Sequence, residues 1–334
     1  MNIFFILFYI FTIGNNDILK INLINEIPLG GIKINQVEYV DVSQDGDLLL
    51  TDLSRQSVVL FEAETESFRE LDPEECHPGY AFHPIRAQFV SSEIWVFNQQ
   101  SEVFRFQRNG DCSGPMSKRM SAPDLFSEIN KGEKVGLKPL RFNLQEPTLY
   151  FYNNLGVEKD RIEAREIILA PIFSIRYGSG GMFAKQDKIY FALSSAPVIY
   201  SYDTLDESFE RFLPEETMKL SIVENDDIEM NSRGNSGLIL NEVRDYLSNY
   251  TSTIHFGRLN HKYALLHIEQ PGRSGRELLV FDLDKNQFLN QSYTLDVDSN
   301  EFYYAFGNSK AYNITFRDQE DRWVLEIYEV EIQL

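Results

Sequence analysis

At 334 residues the chain exceeds the usual size of a single-core domain, so it holds either two domains or one repetitive unit. Its 51 Asp and Glu against 31 Lys and Arg give a formal net charge of -20, a field that repels phosphate backbones and anionic bilayers and argues against nucleic acid as a partner. With 43% hydrophobic residues, 25 Phe and 17 Tyr, the composition suits half-buried pleated strands, and an all-β fold is expected.

The chain opens on Ile3 to Ile13, an uncharged apolar run of 11 residues, too short to cross a bilayer and of the length of a secretory signal's core. We read residues 1–14 as a signal peptide. The mature protein is then exported, periplasmic or extracellular, with no transmembrane anchor once the signal is removed. Met1 and Asn2 supply no basic segment ahead of the run, so a first strand of the fold is the competing reading. Ile18 to Ile27 follows as a strand-like run with no sequence neighbour to pair with.

From Gln36 to Leu71 a short apolar strand (Val40 to Ser43) leads through Asp45 and Gly46 to a second strand ending in Thr51 and Asp52, and to a third ending in Phe61 and Glu62. The end of this unit recurs. Phe61 and Glu62 are followed by Phe68, Tyr202 and Asp203 by Phe209, and Phe281 and Asp282 by Phe288. Each copy has an aromatic, an acid, and a Phe seven positions after the first aromatic, at intervals suited to the blades of a β-propeller.

Five further segments of short runs separated by polar turns continue the pattern. The second holds Ile85–Val90, Ile94–Asn98 and Val103–Gln107. The third holds Leu140–Leu144, Thr148–Tyr152 and a less regular Arg161–Leu169. The fourth holds Phe173–Tyr177, Ile189–Leu193, Val198–Tyr202 and Phe209–Leu213. The fifth offers Thr253–Leu259, Tyr263–Ile268, Leu278–Phe281 and Phe288–Leu295. The last has Phe302–Phe306, Ala311–Phe316 and Trp323–Ile332, and is one strand short. The unpaired run at 18–27 supplies that strand, so the reading is a single six-bladed β-propeller over residues 15–334, its ring closed by the N-terminal strand against the C-terminal blade. Insertions are expected at 112–138 and 214–252, with a shorter one at 72–82, all on the face where outer strands cross to the next inner strand.

The first segment, with Asp45 and Gly46, Thr51 and Asp52, and Phe61 and Glu62, resembles an NHL-type repeat. The chain as a whole resembles the exported six-bladed β-propellers of NHL and TolB-like type common in Bacteroidota. That resemblance implies the fold and transfers no catalytic residue, since six-bladed propellers include lactonases, lyases and pure scaffolds.

A second repeat places Arg86, Arg141, Arg176 and, more loosely, Arg258 after similar short lead-ins, on runs read as innermost strands. If they converge on the channel they make a cationic spot suited to a carboxylate or phosphate; otherwise each is a structural spoke paired with a neighbouring acid. A metal reading gathers Glu38, Asn143, His255 and Asn308 around a divalent calcium or zinc ion in the channel, although no metal-binding motif accompanies them. Cys76 and Cys112 are either one disulfide or two buried thiols. No nucleophile signature with its partners is present, which favours a monomeric binding or scaffold propeller over an enzyme, with no cofactor. Its expected partner is a protein, peptide, glycan or small anion, held on the insertion-bearing face and channel mouth. The alternative is a metal-dependent, lactonase-like hydrolase or lyase.

Overall fold

The computed structural model describes residues 18–333 apart from 36, 75–77, 100–101, 116–122, 124, 130–131, 139–147, 155, 165–179, 195, 216–217, 223–244, 246–247, 274, 296–304 and 318–319. After β1 (Leu19–Pro28) the chain builds six antiparallel meanders. The first blade is β2 (Val37–Val42), β3 (Leu48–Asp52), β4 (Ser57–Glu62) and β5 (Ser67–Glu70). The second is β6 (Pro84–Val90), β7 (Glu93–Asn98), β8 (Val103–Gln107) and β9 (Cys112–Pro115). The third is β10 (Leu125–Glu128), β11 (Lys134–Lys138), β12 (Thr148–Tyr152) and β13 (Glu158–Glu163). The fourth is β14 (Gly181–Lys185), β15 (Lys188–Ala192), β16 (Ile199–Asp203) and β17 (Ser208–Phe212). The fifth is β18 (Ser252–Arg258), β19 (Tyr263–Glu269), β20 (Arg276–Asp282) and β21 (Gln287–Leu295). In the sixth, β22 (Ala305–Gly307), β23 (Lys310–Arg317) and β24 (Arg322–Ile332) are joined by β1, in the order β22-β23-β24-β1. The fold is a six-bladed β-propeller.

The closure expected from the sequence is observed. β1 runs antiparallel to β24 from the Leu19–Ile332 pair to the Pro28–Val324 pair, with a bulge between Leu23 and Asn25. Backbone hydrogen bonds extend the seal at both ends, Leu29 N to Trp323 O at 3.0 Å and Gln333 N to Ile18 O at 2.8 Å.

Each seam between neighbouring blades has its own apolar cluster, so strand residues are buried on both faces. Val58 and Leu60 pack toward the second blade, while Val59 and Phe61 pack toward the sixth. That two-sided burial explains why Leu48, Leu49 and Leu50 form an unbroken apolar run where a one-sided sheet would alternate. The recurrent aromatic–acid–Phe signature also has a local cause. The two aromatics are register partners across the outer hairpin in Phe61–Phe68, Tyr202–Phe209 and Phe281–Phe288, with ring centroids 4.9, 4.8 and 5.2 Å apart. In two copies the acid caps the turn: Asp282 Oδ1 accepts the backbone N–H groups of Asp284 and Lys285, and Asp203 Oδ1 those of Leu205 and Asp206. The turn residues Glu66, Glu207 and Asn286 take positive φ to complete it.

Two blade boundaries differ from the sequence reading. The stretch 112–138 is not an insertion: it carries β9, the outer strand of the second blade, and β10 and β11, the two inner strands of the third. The third blade therefore begins earlier than residue 140, and its outer strand is Glu158–Glu163 rather than 161–169. In the fourth blade the innermost strand is Gly181–Lys185, not 173–177. Both inner strands are short, β10 ending in Ser127 and Glu128 and β14 beginning at Gly181, so neither presents the longer apolar run used to find the others.

Candidate functional site

The inner strands β2, β6, β10, β14, β18 and β22 enclose a central cavity of about 680 Å³. It lies toward the C-terminal ends of β2, β6, β10 and β18 and takes in turn residues beyond the inner strands, including Ser43, Gln44, Asn260, His261 and Asn308. The long crossovers reach the opposite end of the same strands. Thr251, just ahead of β18, donates its N–H to Ser221 O at 2.8 Å, and Asn98 holds the lead-in to β6 through Ala81 and His83. Among the described residues, then, this cavity and the insertion-bearing face expected to bind ligand are on opposite sides of the ring.

A polar cluster stands at the cavity wall. Arg86 of β6 is buried, with its guanidinium carbon 4.1 Å from the centroid of the Tyr39 ring and Nη2 donating to the Tyr39 hydroxyl. Burial pushes the Tyr39 hydroxyl up, against the pull of Arg86. Asp41, one alternation along β2, accepts the Phe89 N–H at 2.7 Å. Burial raises its carboxyl to about 6, opposed by that hydrogen bond and by Arg86 and Arg108. His255 of β18 is half-buried with its ring 5.4 Å from that of Phe306; burial first, then the Arg86 charge, pulls it down to about 4. One guanidinium thus acts on groups from the first and fifth blades.

The wall depends on close backbone approach. Gly180 and Gly181 let the fourth blade touch the fifth: Gly180 N donates to Ile254 O at 3.0 Å, and Phe256 N to Gly180 O at 3.1 Å. A β-carbon on Gly181 would collide with the Phe256 carbonyl oxygen, and Gly180 has φ of 88°.

Arg86 and Arg258 of the predicted arginines are described, and they differ in kind. Arg86 is a buried spoke on Tyr39. Arg258 lines the cavity, is exposed, and donates Nε to Asn260 O at 3.2 Å; among the described residues no carboxylate pairs with it. Arg141 and Arg176 lie outside the described residues.

Three residues of the metal set, Glu38, His255 and Asn308, are described. His255 and Asn308 are on the cavity wall, but Glu38 is not, and Asn143 lies outside the described residues. Burial and the neighbouring Asp52 raise the Glu38 carboxyl. Asn308 spends its amide N–H groups on the first blade, donating to Ser43 O at 3.2 Å and Gln44 O at 2.8 Å. Among the described residues no group of three or more His, Cys, Asp and Glu is placed to hold an ion. Cys112 is disulfide-bonded, and the only other cysteine of the sequence, Cys76, lies outside the described residues.

Sequence reasoning missed Tyr39, Asp41 and Glu128 on this wall. Asp41 had a signal, as one of two acids, with Glu38, in an otherwise apolar strand. Glu128 had none, because its role is to accept the Ser91 N–H of the neighbouring blade at 2.6 Å.

No protein-family model and no curated protein matches the sequence. Solved structures do match in fold. A member of the DUF4221 family from Bacteroides vulgatus superposes with a TM-score of 0.60 at 12% identity, covering 95% of this chain and 99% of its own. The WD40 repeats of RRP9 give 0.55 at 8% identity over 93% and 100%, and U3-55K gives 0.53 at 9% over 90% and 98%. At such identities the likeness is one of fold, compatible with a binding or scaffold role.

Proposed function

We propose that this is an exported binding propeller, of the NHL and TolB-like kind seen in Bacteroidota, that holds a small anion or the acidic group of a peptide or glycan in its central cavity. The observation that carries the reading is Arg258, a cavity-lining guanidinium without a carboxylate partner among the described residues, in a chain where acids outnumber bases 51 to 31. Arg258 is the one Arg or Lys among the described residues lining this cavity, and a planar fork of donors suits a carboxylate or phosphate. The size of the cavity, about 680 Å³, is within the usual range for small-molecule sites. Support for the compartment comes from the apolar run Ile3 to Ile13, and support for the lineage from the first blade's repeat and the fold of the Bacteroides propeller. The insertion-bearing face is dropped from the reading, because the cavity lies at the other end of the inner strands.

Calorimetric titration of the full chain with inorganic phosphate, a uronic-acid disaccharide and a diglutamate peptide tests the proposal. At least one should bind, and Arg258→Ala should weaken it about tenfold or more, which is about 1.4 kcal/mol. Millimolar concentrations of all three without heat, or equal binding by the Arg258→Ala variant, would refute it.

A further inference from the structure

A second cleft, of about 650 Å³, opens at the seam between the third and fourth blades, away from the channel. Phe151 of β12, Ile189 of β15 and Tyr202 of β16 line it with Ile129 and Ile162, all belonging to or packed on that seam's apolar cluster. The Phe151 and Tyr202 rings meet across the seam at 5.8 Å and 52°. Phe151, Ile129 and Ile162 are only half-buried, so the lining keeps apolar surface in contact with solvent.

The charged residues of the lining are mostly acidic. Glu133, Asp160, Asp187 and Glu207 stand against a single described lysine, Lys159, whose ammonium is paired with Glu133. Burial, and next the Glu207 and Asp160 charges, hold the Tyr202 hydroxyl proton more tightly. Leu205, 73% exposed, follows the lining residue Thr204 on the same turn.

Other seams are drawn together by polar cross-links at their rims. Arg69 reaches Asp111 at 3.1 Å between the first and second blades, and Ser91 N reaches Glu128 at 2.6 Å between the second and third. Lys185 reaches Asp284 at 2.7 Å and the Tyr190 hydroxyl reaches Asn286 at 2.8 Å between the fourth and fifth. At the third-to-fourth seam the rings touch beneath an open cleft.

We propose that this cleft accepts a lysine or arginine side chain from an extended segment of a partner protein. The aliphatic stem lies on Phe151, Ile129 and Ile162, the cationic head faces the aromatic rings and the rim carboxylates, and Leu205 offers apolar contact to a flanking residue. The occupant is fixed by complementarity: an apolar lining favours the stem, and the Asp160 and Glu207 carboxylates favour the head. This site does not depend on the channel reading.

The test is fluorescence anisotropy of the full chain with a labelled, amidated tetra-arginine peptide at low ionic strength, against a labelled tetraglutamate peptide. Two double variants remove the same charge: Asp160→Asn with Glu207→Gln at the cleft, and Glu64→Gln with Glu329→Gln elsewhere on the surface. The cleft pair should lower affinity about fivefold or more and the distant pair less than about twofold. Equal losses would mean diffuse attraction to an acidic protein and would overturn the proposal. So would tetra-arginine binding no better than tetraglutamate.

Discussion

Gly181 and the carbonyl of Phe256 hold the fourth and fifth blades closer than any β-carbon permits. The first prediction follows from that contact. Gly181→Ala must push the two inner strands apart, breaking the hydrogen bonds between Gly180 and the fifth blade, and should destabilise the protein by more than about 3 kcal/mol. Denaturant titration measures it; a loss below about 1 kcal/mol would show that the seam can relax around a methyl group.

Removing residues up to Pro28 leaves the sixth blade with three strands and bares the edge of β24 along its whole length. The shortened chain should melt at lower temperature and elute as dimers or larger species. A monomer with the parent melting temperature would mean that β1 contributes nothing to closure.

Asp282 is buried and its Oδ1 accepts two backbone N–H groups of the β20–β21 turn. Asp282→Ala strands both donors, at a cost of about 1–3 kcal/mol, whereas Asp282→Asn keeps an acceptor and should recover much of it. Equal stability for the two variants would assign the recurrent geometry to the aromatic pair alone.

The channel cluster makes stability depend on pH in two opposed ways. Asp41 has its carboxyl raised to about 6, so its contribution is complete below about pH 3.8 and lost as pH rises through 6. His255 is lowered to about 4, so its contribution is complete above about pH 6.5 and lost as pH falls through 4. Relative to the parent, Asp41→Asn should gain stability as pH rises over that window, and His255→Gln should lose it. Melting temperatures of both variants and the parent from pH 4 to 7 decide the matter; slopes of the same sign would contradict it.

The fold was legible where the chain repeats itself. Phe281, Asp282 and Phe288 mark an outer hairpin because the turn needs a capping acid and the hairpin needs paired rings, and those needs recur in other blades. The run at 18–27 was legible as the missing strand by counting. Leu125–Glu128 and Gly181–Lys185 were not, since strands of four and five residues offer too short an apolar run to stand out and no signature marks them. Arg141 and Arg176 of the arginine repeat lie outside the described residues. Among the site residues, Arg258 and His255 could be chosen from sequence, but the dependence of Tyr39, Asp41 and His255 on one guanidinium exists only once three blades are assembled.

The pairing of Leu19 with Ile332 also dictates an order of assembly. Five blades are local meanders, each able to form from neighbouring hairpins, but the sixth joins segments nearly the whole chain apart. Loop closure on that scale is slow, so the ring should latch last, and the open five-blade intermediate is the species most exposed to misassembly during folding.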